Sequence, residues 1–161
     1  MRRPGSDALS QETAFAGLPK IIRIHASIAQ GPLGVNVWTN ISLDTVDYNY
    51  GGFAFRPASP GSEIVVPEPG IYVCTLNTRL NGVAANGEIT LCSNVNGTGP
   101  TQLGLVTGDG ANYNVSGGAQ GSGPLFMNAG DTIGMQAFNN VASSVAAGWT
   151  HLTLMKMGGV Y

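Results

Sequence analysis

The chain has 161 residues, of which 10% are charged and 43% hydrophobic, and its formal net charge is −2. That length suits one domain with a sizeable core. The balance excludes nucleic-acid binding by bulk electrostatics, which needs many Lys or Arg contacts to phosphate. No stretch approaches the ~20 apolar residues of a bilayer-spanning helix. A soluble domain usually carries about 25% charged residues. The surface here is therefore built from Asn, Ser, Thr, Gly and apolar atoms, and burying part of it against further copies would keep the chain soluble.

Residues 1–20 differ from the rest. Residues 1–23 hold Arg2, Arg3, Lys20 and Arg23 against Asp7 and Glu12. The remaining chain holds three bases, Arg56, Arg79 and Lys156, against seven acids, a balance of 3 − 7 = −4. A mildly basic arm on an acidic body suits docking to an acidic neighbour. Arg2 and Arg3 precede Pro, Gly, Ser and Asp, not the apolar run of a secretion signal, so synthesis in the cytoplasm is expected. Ser6 can cap a short helix over residues 7–16, with Asp7 in its first turn and Gly17 and Pro19 ending it. So short a helix is marginal alone and would form on docking. The arm residues expected to make contact are Arg2, Arg3, Leu9, Phe15 and Lys20.

From residue 21 the apolar period becomes two. Ile22, Ile24, Ala26 and Ile28 alternate with Arg23, His25 and Ser27. Val35, Val37, Thr39, Ile41 and Leu43 alternate with Asn36, Trp38, Asn40 and Ser42, the pattern of half-buried strands. Further strands are expected over 52–55, 63–66, 71–80, 88–95, 102–107, 113–116, 124–127, 132–138 and 149–157. Turn dipeptides stand between them, among them Gly31-Pro32, Asn81-Gly82, Asn86-Gly87, Asn96-Gly97, Asp109-Gly110 and Gly117-Gly118. Many short strands and no convincing helix after residue 20 point to an all-β sandwich or barrel.

Two strands look apolar on both faces. In 71–80, Ile71 and Val73 oppose Tyr72, Cys74 and Leu76. In 149–157, Leu152 and Leu154 oppose Trp149, Met155 and Met157. A strand wet on one side alternates with polar residues, so the second face needs a covering element or another copy. The two cysteines, Cys74 and Cys92, fall on differently phased faces, which favours free thiols.

Four stretches, in order, resemble the tumour-necrosis-factor-like jelly roll, most of all its branch with the complement component q globular head. Gly61-Ser-Glu-Ile-Val-Val-Pro-Glu-Pro-Gly70 resembles that family's approach to its Gly-x-Tyr strand, here Gly70-Ile71-Tyr72. Gly130-Asp131-Thr132-Ile133 resembles the later Gly-Asp-x-Val strand, and Trp149-Thr-His-Leu-Thr-Leu154 the terminal strand. An aromatic residue is usual in the family where Ile64 stands, and Val83–Gly118 matches poorly. The resemblance covers about residues 21–158. It implies a two-sheet antiparallel jelly-roll sandwich, no catalytic activity, and a homotrimer with aromatic and apolar residues along its threefold axis. The axis residues expected are Tyr72, Trp149, His151, Met155 and Met157.

Chemistry-bearing patterns are sparse. His25 and His151 lie in the first and last body strands, which the resemblance sets side by side, but no carboxylate or thiolate companion for a metal is in phase. Asp44 and Asp47 could approach Glu63 or Glu68 without forming an aligned acid–base pair. Asp109, Asn112 and Asn114 make an oxygen-rich turn with one charge, little for a hard cation. The run Gly117–Gly123 lacks the Lys and helix of a phosphate loop and reads as a flexible segment. No catalytic residue, cofactor site or metal site is expected, and neither nucleic acid nor membrane is an expected partner. The expectation is a homotrimeric structural protein of a bacteriophage virion, with the jelly roll over residues 21–161. It would decorate the outer head surface as a cement protein and grip the major capsid protein, or another virion protein, through the arm of residues 1–20. The alternative is a tail or fibre tip module that binds a host glycan or receptor through Asn- and Tyr-bearing loops including Tyr48, Tyr50 and Tyr113.

Overall fold

The computed structural model describes residues 19–58, 61–82, 88–98, 100–101, 108–109 and 116–158. Thirteen strands run in chain order: β1 (Ile21–His25), β2 (Trp38–Asn40), β3 (Thr45–Tyr50), β4 (Ala54–Arg56), β5 (Glu63–Val65), β6 (Gly70–Asn81), β7 (Glu88–Val95), β8 (Pro100–Thr101), β9 (Gly108–Asp109), β10 (Ser116–Met127), β11 (Thr132–Asn139), β12 (Ser144–Val145) and β13 (His151–Gly158). They form two sheets. One has six strands in the order β10-β6-β13-β1-β3, with β12 also on β6. The other has seven in the order β4-β5-β11-β7-β8, with β2 on β11 and β9 on β7. The pairings are antiparallel, and among the described residues there is no helix. The expected jelly-roll sandwich is the observed architecture.

Period-two alternation sets the core. Ile22 and Ile24 of β1, Tyr72, Cys74, Leu76 and Leu80 of β6, and Leu152 and Leu154 of β13 point inward and are buried. They meet Ile64 of β5, Ile89 and Leu91 of β7, and Ile133, Met135 and Ala137 of β11. Fully burying one such side chain is worth about 1.5–3 kcal/mol. Phe53 stands edge-on to Tyr72, with ring centroids 6.0 Å apart at 74°, the arrangement that ring quadrupoles favour.

Three expectations need correction. The strand over residues 35–43 shrinks to β2. Asn36 takes a left-handed φ of 58° and its N–H bonds the Asn139 carbonyl, so Val35 and Val37 are left exposed. β3 is a further strand outside the expected set, although Val46, Tyr48 and Tyr50 alternate with Thr45, Asp47 and Asn49; the expected place of Tyr48 and Tyr50 is in loops. The Gly117–Gly123 run lies inside β10, paired residue for residue with β6 from Ser116↔Asn81 to Met127↔Gly70. Main-chain pairing to a long partner needs no side chains, so glycine content alone misread the segment. The proposed helix over 7–16, the strand over 102–107, Tyr113, Asn112 and Asn114 lie outside the described residues.

Candidate functional site: the outer face of the six-stranded sheet

Register fixes which side chains share the outer face. Pro124, Val73, Met155, Ile21 and Tyr50 form one cross-strand row from β10 to β3. Beside it stand Phe126 and Ile71, directly paired, and Met157. The exposed members are large: Ile71 at 45%, Tyr50 at 50%, Met157 at 61% and Phe126 at 63%. A contiguous apolar end of this kind on a sheet face marks an interaction surface. Tyr48 and Tyr50 stack with centroids 6.1 Å apart; they lie on β3, not in a loop.

Charge borders the apolar end. Glu68 accepts from Lys20 Nζ at 2.6 Å and Lys156 Nζ at 2.7 Å. The bonds from Lys156 and then Lys20 hold its carboxyl below the usual carboxylate range. Lys20 thus belongs to the body: its carbonyl also accepts the Lys156 N–H at 2.8 Å, and β1 starts at the next residue. This corrects its expected place among the arm's contacts. Arg2, Arg3, Leu9 and Phe15 lie outside the described residues.

The middle of the face is polar. Ser122, Thr75, Thr153, Arg23 and Tyr48 form a row, with the Ser122 and Thr75 hydroxyls 3.2 Å apart. The next row sets Asn77, His151 and His25 side by side, as the resemblance implied for the two histidines. Asp47, which no phase reading placed here, reaches Arg23 Nε at 3.0 Å and His25 Nδ1 at 2.7 Å. A register shift between Arg23 and Ile24 against β3 brings it there and also hid it from periodicity. Burial first, then Arg23 and His25, push the His151 pKa below its ordinary value, with Asp47 opposing. At the far end Arg79 lies 5.4 Å from the Trp149 ring centroid, a cation–π contact.

Of the residues expected on a threefold axis, Trp149, His151, Met155 and Met157 share this face. Tyr72 does not. It is fully buried in its own sandwich, its hydroxyl donates to the Glu68 carbonyl at 2.7 Å, and burial pushes its pKa up to about 12. Alternation along β6 puts it opposite in phase to Ile71 and Val73, which hold the outer positions.

Other candidate chemistry disperses. Asp44 accepts from Ser27 and Thr45 and does not join Asp47 or Glu68. Cys74 and Cys92 are free thiols, each pushed to about 12 by burial. Among the described residues, no three His, Cys, Asp or Glu side chains are placed to hold a metal. On the seven-stranded sheet, a polar cleft of about 170 Å³ is lined by Asn40, Glu63, Asn94 and Gly134 among others.

The sandwich has the tumour-necrosis-factor and complement-component-q type of jelly roll. Its similarity to murine APRIL at pH 8.0 has a TM-score of 0.62 at 14% identity, covering 87% of this chain and 100% of that one. For the Eiger tumour necrosis factor of S. frugiperda the values are 0.63, 10%, 89% and 95%. The globular domain of the zebrafish complement 1qA protein gives 0.57, 10%, 88% and 99%. No family model and no curated protein matches the chain. At such identities the likeness is one of fold.

Proposed function

We propose that the protein is a non-catalytic structural subunit that closes into a homotrimer through the outer face of its six-stranded sheet. The observation that carries this is the apolar end formed by Ile71, Phe126, Met157 and Tyr50. One copy cannot cover these side chains, and a closed symmetric contact would bury them. The fold supports the same reading, because trimers are what the resemblance implies. Sedimentation of the full chain at micromolar concentration tests it: a trimer mass is expected, and a stable single subunit overturns it.

The trimer, on this reading, decorates the outer head surface of a bacteriophage and grips the major capsid protein through the arm that precedes Lys20. The sparse charge and the distinct composition of that arm support this role. Capsid subunits so linked gain stability by mass action. Densitometry of purified particles should give hundreds of copies each; a handful would exclude a decoration role. The second reading, a tip module that binds a host glycan, is favoured by the polar cleft, where the buried Asn94 Oδ1 has no hydrogen-bond partner. Saturation-transfer NMR with simple monosaccharides decides whether this cleft is occupied.

A further inference from the structure

The polar middle of the same face is under-satisfied. Arg23 Nε, His25 Nδ1 and His151 Nδ1 are buried atoms without a hydrogen-bond partner. Asp47 stands 3.0 and 2.7 Å from the first two, so the His151 nitrogen is the one with no carboxylate beside it. Buried polar groups in native proteins are nearly always partnered, so the bare His151 nitrogen beside the Arg23, His25 and Asp47 group is unusual. His25 and His151 are directly opposite on β1 and β13, a position that leaves Cβ atoms about 4.5–5.5 Å apart.

We infer that the assembly is acid-sensitive: protonation of His151, in its place beside His25 and Arg23, drives the subunits of the proposed oligomer apart. This rests on the assembly reading above. Imidazole is the side chain that changes charge between pH 5 and 8. The groups facing His151 are Arg23 and His25 from β1, Asp47 from β3, and Asn77 with Arg79 one position beyond from β6. A single carboxylate opposes Arg23 and two imidazoles. With His151 neutral, Asp47 balances Arg23; with it charged, the cluster gains a positive charge that Asp47 does not balance. Each copy brings the same face, so the excess is repeated across every contact, where like charges repel.

The sign follows from His151. Burial, then Arg23 and His25, already hold its pKa below the ordinary 6.5, and covering it with another copy pushes in the same direction. The assembled state therefore binds fewer protons than separated subunits. Stability of the assembly is full above pH 6.5 and is lost as pH falls through the lowered pKa that His151 has in the separated subunit. One proton per copy changes the association constant of three copies by up to about a thousandfold per pH unit.

The test is sedimentation of the full chain at pH 8 and pH 5, as wild type and as His151→Gln and His25→Gln, with circular dichroism at both pH values. The expected result is an oligomer at pH 8, folded single subunits at pH 5, and at least one variant that stays assembled at pH 5. An oligomer at both pH values overturns the inference and leaves the assembly reading standing. Single subunits at both overturn the assembly reading itself. Dissociation of wild type and both variants alike, or loss of strand signal at pH 5, overturns the role of the imidazoles.

Discussion

Tyr72 and Met157 illustrate how one position in phase separates two jobs. Tyr72 points inward, with its ring against Phe53 and its hydroxyl on the Glu68 carbonyl; Met157 lies on the outer face, exposed. Tyr72→Phe removes one hydrogen bond and keeps the ring. It should cost about 1 kcal/mol in denaturant unfolding and leave the mass of the assembly unchanged. A change of mass in Tyr72→Phe would mean that the residue contributes to the contact between copies after all. Lys20 makes the same point from the other direction. As the last basic residue of a distinctive segment it reads as part of an arm, yet its ammonium and carbonyl are both held by the body.

At the scale of elements, pairing overrides composition. β10 stays extended through its glycines because β6 supplies a twelve-residue partner. After β7, Asn96 and Gly97 take φ values of 52° and 68°, and the Thr98 N–H returns to the Val95 carbonyl at 3.1 Å. This is a turn whose two central residues both need positive φ. Gly97→Ala meets nothing within 4 Å, so its cost is that of the backbone alone. About 1 kcal/mol of lost stability is expected, read from the unfolding midpoint; no loss would refute the turn geometry. The strands legible in the sequence were those with clean alternation, such as β1, β7 and β11, and the Asn-Gly turn was legible from its chemistry. β3 carried the same alternation, Val46, Tyr48 and Tyr50 against Asp47 and Asn49, but is short and rich in turn-forming polar residues; the extent of β10 was not legible, because its order is set by its neighbour. Of the candidate face, Trp149, His151, Met155 and Met157 followed from the phase of one strand. Phe126, Tyr50 and Asp47 depend on register between strands far apart in the chain, which no local pattern encodes.

For the molecule as a whole, the two sheets expose unlike surfaces. On the six-stranded sheet Trp149 is exposed at one end, while Ile71, Phe126, Met157 and Tyr50 are exposed toward the other, where Phe126 pairs with Ile71. Phe126→Lys places a charge there without touching the core. It should leave unfolding of the single subunit within about 0.5 kcal/mol of wild type and convert the assembly to single subunits in a sedimentation run. An assembly that tolerates Phe126→Lys would place the contact elsewhere. The order of strands carries a separate consequence. β1 is flanked by β3 on one side and by β13 on the other, and β13 comes last among the described strands. During synthesis β1 must wait, with one edge unpaired, until β13, more than a hundred residues later, leaves the ribosome. The sandwich cannot close piecemeal from its N-terminal side, and a ribosome stalled before residue 151 would release a nascent chain prone to sticking to its neighbours.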